Sequence, residues 1–329
     1  MAAPRRTATR PSSSRRSAVL DERTRQPLAT TNGAGAASDR IGVRKTYKLY
    51  IGGQFPRTES GRAYEIHGAK GELLANACRG TRKDIREAVR AARKAFAGWA
   101  GRTAYNRSQI LYRIAELMEG RREQFVGEVM AAEGLGRRRA TRLVDASIDR
   151  WVWYAGWADK YSQLLGTVNP VAGSYFNFSV PEPTGVVGVI APESSSLLGL
   201  VSRVAPVILS GNAVVVIASE SRPLPAVTLT EVLATSDVPG GVVNLITGLR
   251  SELVTHLAGH MDVNALDAYG LDPRQAASVE ELAVENVKRF VRPPSEGSDG
   301  IDWLDPRSQS PYLIGEFVET KTVWHPIGS

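Results

Sequence analysis

After Pro183 the chain alternates between short apolar runs and helical stretches, and this pattern constrains the fold more than any other feature. GVVGVIA (185–191), NAVVVIA (212–218) and GVVNLIT (241–247) carry almost no polar side chains. A strand with one face in water alternates apolar and polar residues. A strand this uniformly apolar must be covered on both faces. A helical stretch comes after each strand: Leu197 to Leu209, PLPAVTLTEVLATS (223–236) with proline near its start, and SELVTHLAGH (251–260). VNALDAYG (263–270) reads as a weaker fourth strand, and SVEELAVENVKRFV (278–291) as a fourth helix capped by Ser278. The pattern predicts an α/β fold with a parallel sheet and helices on both faces. Ligands of such sheets bind beyond the carboxyl ends of the strands. Those ends are Ala191-Pro192-Glu193, Ala218-Ser219-Glu220, Thr247-Gly248-Leu249 and Tyr269-Gly270-Leu271.

Upstream, residues 1–40 read as a disordered basic tail, and order begins near TYKLYIGGQF (46–55), a short strand and turn. In 81–100, Ile85, Val89, Ala92 and Phe96 form a helical stripe, with Thr81 as the cap. Helices are expected at 104–119, 121–134 and about 139–164, where Trp151, Trp153 and Trp157 are read as packing residues. GTVNPVAGSYFNFSVPEP (166–183) is a β-rich segment broken by proline and glycine, an extended hairpin arm. RPPSEGSDG (292–300) reads as a linker. EFVETKTVWHPIG (316–328) alternates again and is a strand with no obvious neighbour in sequence.

Charge narrows the function. The net charge is +7, but eight arginines against three acidic residues place +5 of it in residues 1–40. The body carries no basic face interleaved with aromatics, which argues against nucleic acid. No apolar run approaches the length of a membrane span, and the N-terminus shows no signal-peptide core. The single cysteine, Cys78, excludes an internal disulfide or a cysteine zinc cluster and fits a cytoplasmic protein.

Taken in order, several motifs resemble the aldehyde dehydrogenase superfamily. YKLYIGGQF resembles its N-terminal strand, and EPTGVVGVIAP its P-x-G-V-x-G-x-I-x-P strand. APVILSGNAVVVIASE resembles P-A-L-A-x-G-N-x-V-x-x-K-P-S-E, VPGGVVNLITG resembles G-x-P-x-G-V-x-N-x-V-x-G, and FVETKTV resembles the C-terminal strand. The resemblance covers about residues 46–270 and 316–326. It implies a Rossmann-like sheet, with remnants of an NAD or NADP site at Ile190, Pro192, Ser219, Glu220 and Gly248.

The departures are as informative. Where the family has Trp-Asn-Phe-Pro, this chain has Glu193-Ser194-Ser195-Ser196, so the oxyanion-stabilising asparagine is replaced by Ser194. The lysine and glutamate that hold the adenosine ribose become Ile217 and Glu220. The F-T-G-S-T motif becomes Ala268 to Pro273, with Asp272 and Pro273 at a helix entrance that should favour phosphate. Ile217 and Asp272 therefore weaken NAD or NADP binding. The general-base motif E-L-G-G-K and the thiolate motif G-Q-x-C have no counterpart, and Cys78 lies in a strand matched to an early part of the fold. No catalytic residue is expected.

Other candidates have simpler readings. The serine turn lacks a G-x-S-x-G elbow, and Ser194 is expected to cap a helix. His256 and His260 lack a third ligand, so no metal site is expected. The GVVG at 185–188 is not a phosphate-binding loop. Arg137, Arg138, Arg139 and Arg142 read as a solvated helix face.

The expected organisation is a tail (1–40), an N-terminal helical part (41–165), an oligomerisation hairpin (166–183), a Rossmann-like part (184–291), a linker replacing the catalytic domain (292–312) and an oligomerisation strand (313–329). The implied function is that of a catalytically inactive, truncated aldehyde dehydrogenase-like subunit. It would assemble with itself or a full-length aldehyde dehydrogenase through residues 166–183 and 316–326. Two rivals stay open: a composite NAD(P)-dependent oxidoreductase whose thiol comes from a partner chain, and a non-catalytic nucleotide-binding module.

Overall fold

The computed structural model describes residues 44–293 and 300–328, so the expected tail lies outside the described residues. Three short strands open the fold: β1 (Thr46–Tyr47), β2 (Ala63–His67) and β3 (Leu73–Cys78), in sheet order β1-β3-β2. Four helices come next: α1 (Arg82–Ala100), α2 (Ala104–Gly120), α3 (Arg122–Glu133) and α4 (Arg137–Trp157). The start of α1 is fixed as expected at Thr81, whose backbone N–H and hydroxyl both donate to the Asp84 carboxylate. The stretch expected as one helix to residue 164 is divided, with α5 (Tyr161–Leu165) separate from α4. Trp151 is fully buried in the main core, as the packing reading requires.

The alternating half matches its pattern closely. Strands β6 (Val186–Ile190), β7 (Ala213–Ile217), β8 (Val243–Ile246), β9 (Ala265–Asp267) and β10 (Arg289–Val291) form one parallel sheet, in the order β10-β9-β6-β7-β8. Helices α6 (Leu198–Leu209), α7 (Leu224–Leu233), α8 (Arg250–Ala258) and α9 (Pro273–Val284) connect them. Every residue of β6 and β7 is buried, because α1 and α8 cover one face and α6 and α7 the other. The backbone of Tyr50 pairs with Leu245 and so covers part of the β8 edge.

Three expectations are corrected here. The fourth helix does not run over 278–291 with Ser278 as its cap. It starts at Pro273, capped by the Asp272 carboxylate, which accepts from the N–H groups of Arg274 and Gln275 at 2.9 Å each. Asp-Pro is a strong start signal, and it outweighs a serine nearly two turns later. The residues assigned to that helix's end, Arg289 to Val291, are instead the fifth strand, paired with β9.

The C-terminal strand has a neighbour. β4 (Thr167–Asn169) and β5 (Tyr175–Pro183) form the expected hairpin, and β11 (Val318–Pro326) lies antiparallel to β5 from Val318↔Pro183 to Pro326↔Tyr175. The order is β11-β5-β4, so among the described residues the outer edge of β11 is unpaired. Tyr175, Phe176 and Trp324 on this sheet are about half exposed.

The third correction concerns 292–312. Residues 294–299 lie outside the described residues, but the segment from 300 onward is packed structure and not a loose connection. A 3-10 turn (Pro306–Ser308) and α10 (Tyr312–Gly315) lead into β11, and Trp303, Ile314 and Phe317 are buried.

Candidate functional site

The carboxyl ends of β6, β7 and β8 converge as the topology requires, and Glu193 lies at their centre. Ala191 and Pro192 end β6 in buried positions and direct Glu193 across the end of β7. One Glu193 carboxylate oxygen accepts from the backbone N–H of Glu220 at 2.7 Å. The other accepts from the hydroxyls of Ser219 at 2.6 Å and Ser221 at 2.7 Å. Arg250, at the start of α8, completes the arrangement with an ion pair to Glu193 at 2.8 Å. Its guanidinium also donates to the carbonyls of Gly270, at 2.7 Å, and Ala191. Burial alone would raise the Glu193 pKa. The Arg250 charge and the hydrogen bonds from Ser219, Glu220 and Ser221 outweigh it, holding the carboxyl below its usual range.

Each predicted site residue can be placed against this network. Ile190 is fully buried in β6, paired with Ile217, which is itself fully buried in β7. Ser219 is buried and gives its hydroxyl to Glu193. The Glu220 carboxylate accepts from the Arg250 backbone N–H at 2.7 Å, placing a negative charge at the positive end of α8. Gly248, with φ +149°, is held against the chain after β3: a Cβ there would sit 2.9 Å from the Gly80 nitrogen. The structure thus brings Pro192, Ser219 and Glu220 together around Glu193, and assigns Gly248 to a close backbone approach. A dinucleotide held through Ser219 and Glu220 would have to break this internal set of bonds. The donor set does not fit one as arranged.

The serine turn also differs from expectation. α6 begins after Leu197, and Ser194 does not cap it. The Ser195 hydroxyl accepts from the Gly199 N–H at 3.0 Å, while Ser196 donates its N–H (2.8 Å) and hydroxyl (2.6 Å) to Glu133 of α3. A turn tied down at both later serines leaves their hydroxyls in structural roles.

Two buried arginines carry structural roles that no sequence motif indicates. Arg203 of α6 pairs with Asp267 at the end of β9 at 2.6 Å, and with Glu316 at 2.7 Å. Its guanidinium lies 3.8 Å from the centre of the Tyr269 ring. Arg150 of α4 donates to the Trp303 carbonyl at 3.0 Å and to Ser202. Together they bind the segment 303–316 to the helical layer. The available signal is a charged residue inside the otherwise apolar stretch LGLVSRVAPVIL, which demands a buried partner. Among the described residues no group of three or more acidic, histidine or cysteine side chains is placed to hold a metal ion. No helix among them is long and apolar enough to cross a membrane.

A five-stranded parallel sheet with helices on both faces and a polar cluster at its carboxyl end defines a doubly wound, Rossmann-like protein. The chain belongs to the aldehyde dehydrogenase family, whose pattern it matches over residues 56–291. That match runs through α9 and β10, past the resemblance over 46–270 but short of the C-terminal strand at 316–326. The chain is 31% identical to chicken (Gallus gallus) aldehyde dehydrogenase 1A1 over 79% of its own length and 52% of the relative's. It is 33% identical to the mitochondrial aldehyde dehydrogenase family 2 member B4 of Arabidopsis thaliana, over 67% of this chain and 41% of that one. Among solved structures it resembles an NAD+ complex of aldehyde dehydrogenase from Bacillus cereus, with a TM-score of 0.70 and 26% identity, covering 75% of this chain and 50% of that one. The chain spans about half the length of these relatives.

Proposed function

We propose that this chain is a non-catalytic, cytoplasmic subunit that assembles with itself or with a full-length aldehyde dehydrogenase. The observation that carries the reading is Glu193. It engages Ser219, Glu220 and Arg250 at the carboxyl end of the sheet, in a fold shared with a Bacillus cereus relative solved as an NAD+ complex. A crevice satisfied by its own side chains has little to offer a dinucleotide. The chain's one cysteine, Cys78, is buried in β3, where its carbonyl accepts from the Thr247 hydroxyl at the end of β8 at 2.7 Å. Aldehyde oxidation by a thiolate needs an accessible sulfur, so the nucleophile would have to come from elsewhere. The arm supports assembly: β11 presents an unpaired edge flanked by Tyr175, Phe176 and Trp324, and such an edge is ordinarily covered. The buried cysteine is also consistent with a reducing compartment.

The test has two readouts on the purified chain. Light scattering should give a mass above one chain, falling towards one chain when residues 320–329 are removed. Aldehyde-dependent reduction of NAD or NADP should be absent. Turnover by the isolated chain, or a monomer whose mass is unchanged by that deletion, would overturn the reading.

A further inference from the structure

A cavity of about 1140 Å³ lies beside the start of α4 and adjoins the Glu193 cluster through Ser194 and Arg222. Arginines outnumber carboxylates on its wall. Arg137, Arg138, Arg139 and Arg142, from the first turns of α4, line it together with Arg222 and the Ser194-Ser195 turn. Two carboxylates also lie on its wall: Glu133 accepts from Ser196, and Asp302 accepts from the Leu304 N–H at 3.0 Å. Arg137 pairs with Glu123, and Arg222 donates to the Glu193 carbonyl at 3.2 Å. The guanidinium groups of Arg138, Arg139 and Arg142 make no hydrogen bond or ion pair with any described residue.

Five arginines thus face two carboxylates on this wall. α4 is 21 residues long, and its N-terminal cap is Gly136, which offers no side-chain acceptor. The positive end of a helix favours acidic residues in its first turn. α4 instead has three successive arginines there and no acid. A solvated helix face explains the exposure of these side chains. It does not explain why helix dipole, arginines and hydroxyls all border one cavity.

We propose that this cavity binds a small molecule through a group with two phosphates or an equivalent cluster of phosphate charge. Guanidinium groups match phosphate oxygens with paired, charge-assisted hydrogen bonds, and the N–H groups of a helix start add to them. The volume exceeds what inorganic pyrophosphate fills, so an organic remainder has room. The inference is independent of the assembly reading, since no arm residue takes part.

The test is calorimetric titration of the full chain at low ionic strength with inorganic pyrophosphate and, separately, fructose 1,6-bisphosphate as an organic bisphosphate. Saturable one-to-one binding of either probe is expected, and the tighter of the two shows whether the charge alone or the organic body is recognised. The variant Arg138→Ala/Arg139→Ala/Arg142→Ala, all at exposed positions, should weaken binding by on the order of 100-fold. The control Arg86→Ala/Arg90→Ala/Arg113→Ala removes equal charge from exposed positions outside the cavity and should bind as the parent does. Absence of saturable binding by both probes, or equal loss in the two triple variants, would overturn the proposal.

Discussion

Replacing Arg203 with methionine tests whether one buried cation holds the C-terminal segment on the sheet. Arg203 is 1% exposed and Asp267 fully buried, so the substitution leaves a carboxylate in the core without its counter-ion. Breaking a buried pair from one side costs about 3–5 kcal/mol. The Glu316 contact is more exposed, at 28%, and adds about 1 kcal/mol or less. A domain of this size loses about 2–4 °C per kcal/mol, so the melting temperature should fall by about 6–24 °C. Burial alone would lower the Arg203 pKa, but Asp267 and Glu316 reverse that and keep it charged, so the loss should be present across the neutral range. Calorimetry would measure the fall, and limited proteolysis should show earlier cleavage within 300–317. The double variant Arg203→Met/Asp267→Asn removes the orphaned charge and should recover a large part of the loss. If Arg203→Met melts within 2 °C of the parent, about what 1 kcal/mol would produce, the tether argument is wrong.

Glu193→Gln should lower the melting temperature at neutral pH and flatten its decline in acid. The Glu193 carboxyl is held below its unfolded value, so its stabilisation is complete above the ordinary carboxylate range and is lost as pH falls through the folded value. A thermal-melt series against pH would show parallel acid limbs if the network were unimportant. Gly270→Ala would place a Cβ 2.3 Å from the Ile190 carbonyl oxygen and 2.4 Å from that of Ala191. It should destabilise by about 1–3 kcal/mol or more, read from urea unfolding, and a neutral result would refute the close packing. Cys78 is 2% exposed, so a thiol reagent should label it only as the protein unfolds. Rapid labelling of the native protein would place that thiol at the surface.

Much of the architecture was legible along the chain. The runs at 185–191, 212–218 and 241–247 declared β6, β7 and β8 because a strand covered on both faces has no polar side chain to spare. The stripe Ile85, Val89, Ala92 and Phe96 declared α1 for the corresponding reason of helical period. These are local signals, carried by neighbours within a turn or two. The choice of partners over long separations was not legible in the same way. Nothing near Glu193 indicates that its carboxylate turns inward to Arg250, and nothing near Lys321 indicates that its strand lies along Val180. Arg203 announced a buried partner without naming Asp267 or Glu316. The sequence by itself determined most of the elements and the family, because periodicity and short motifs are written in adjacent residues. The tertiary structure alone decided that the crevice is filled, that 303–316 is packed and that four arginines of α4 border one cavity. Each of these depends on which charges meet after the chain has closed on itself.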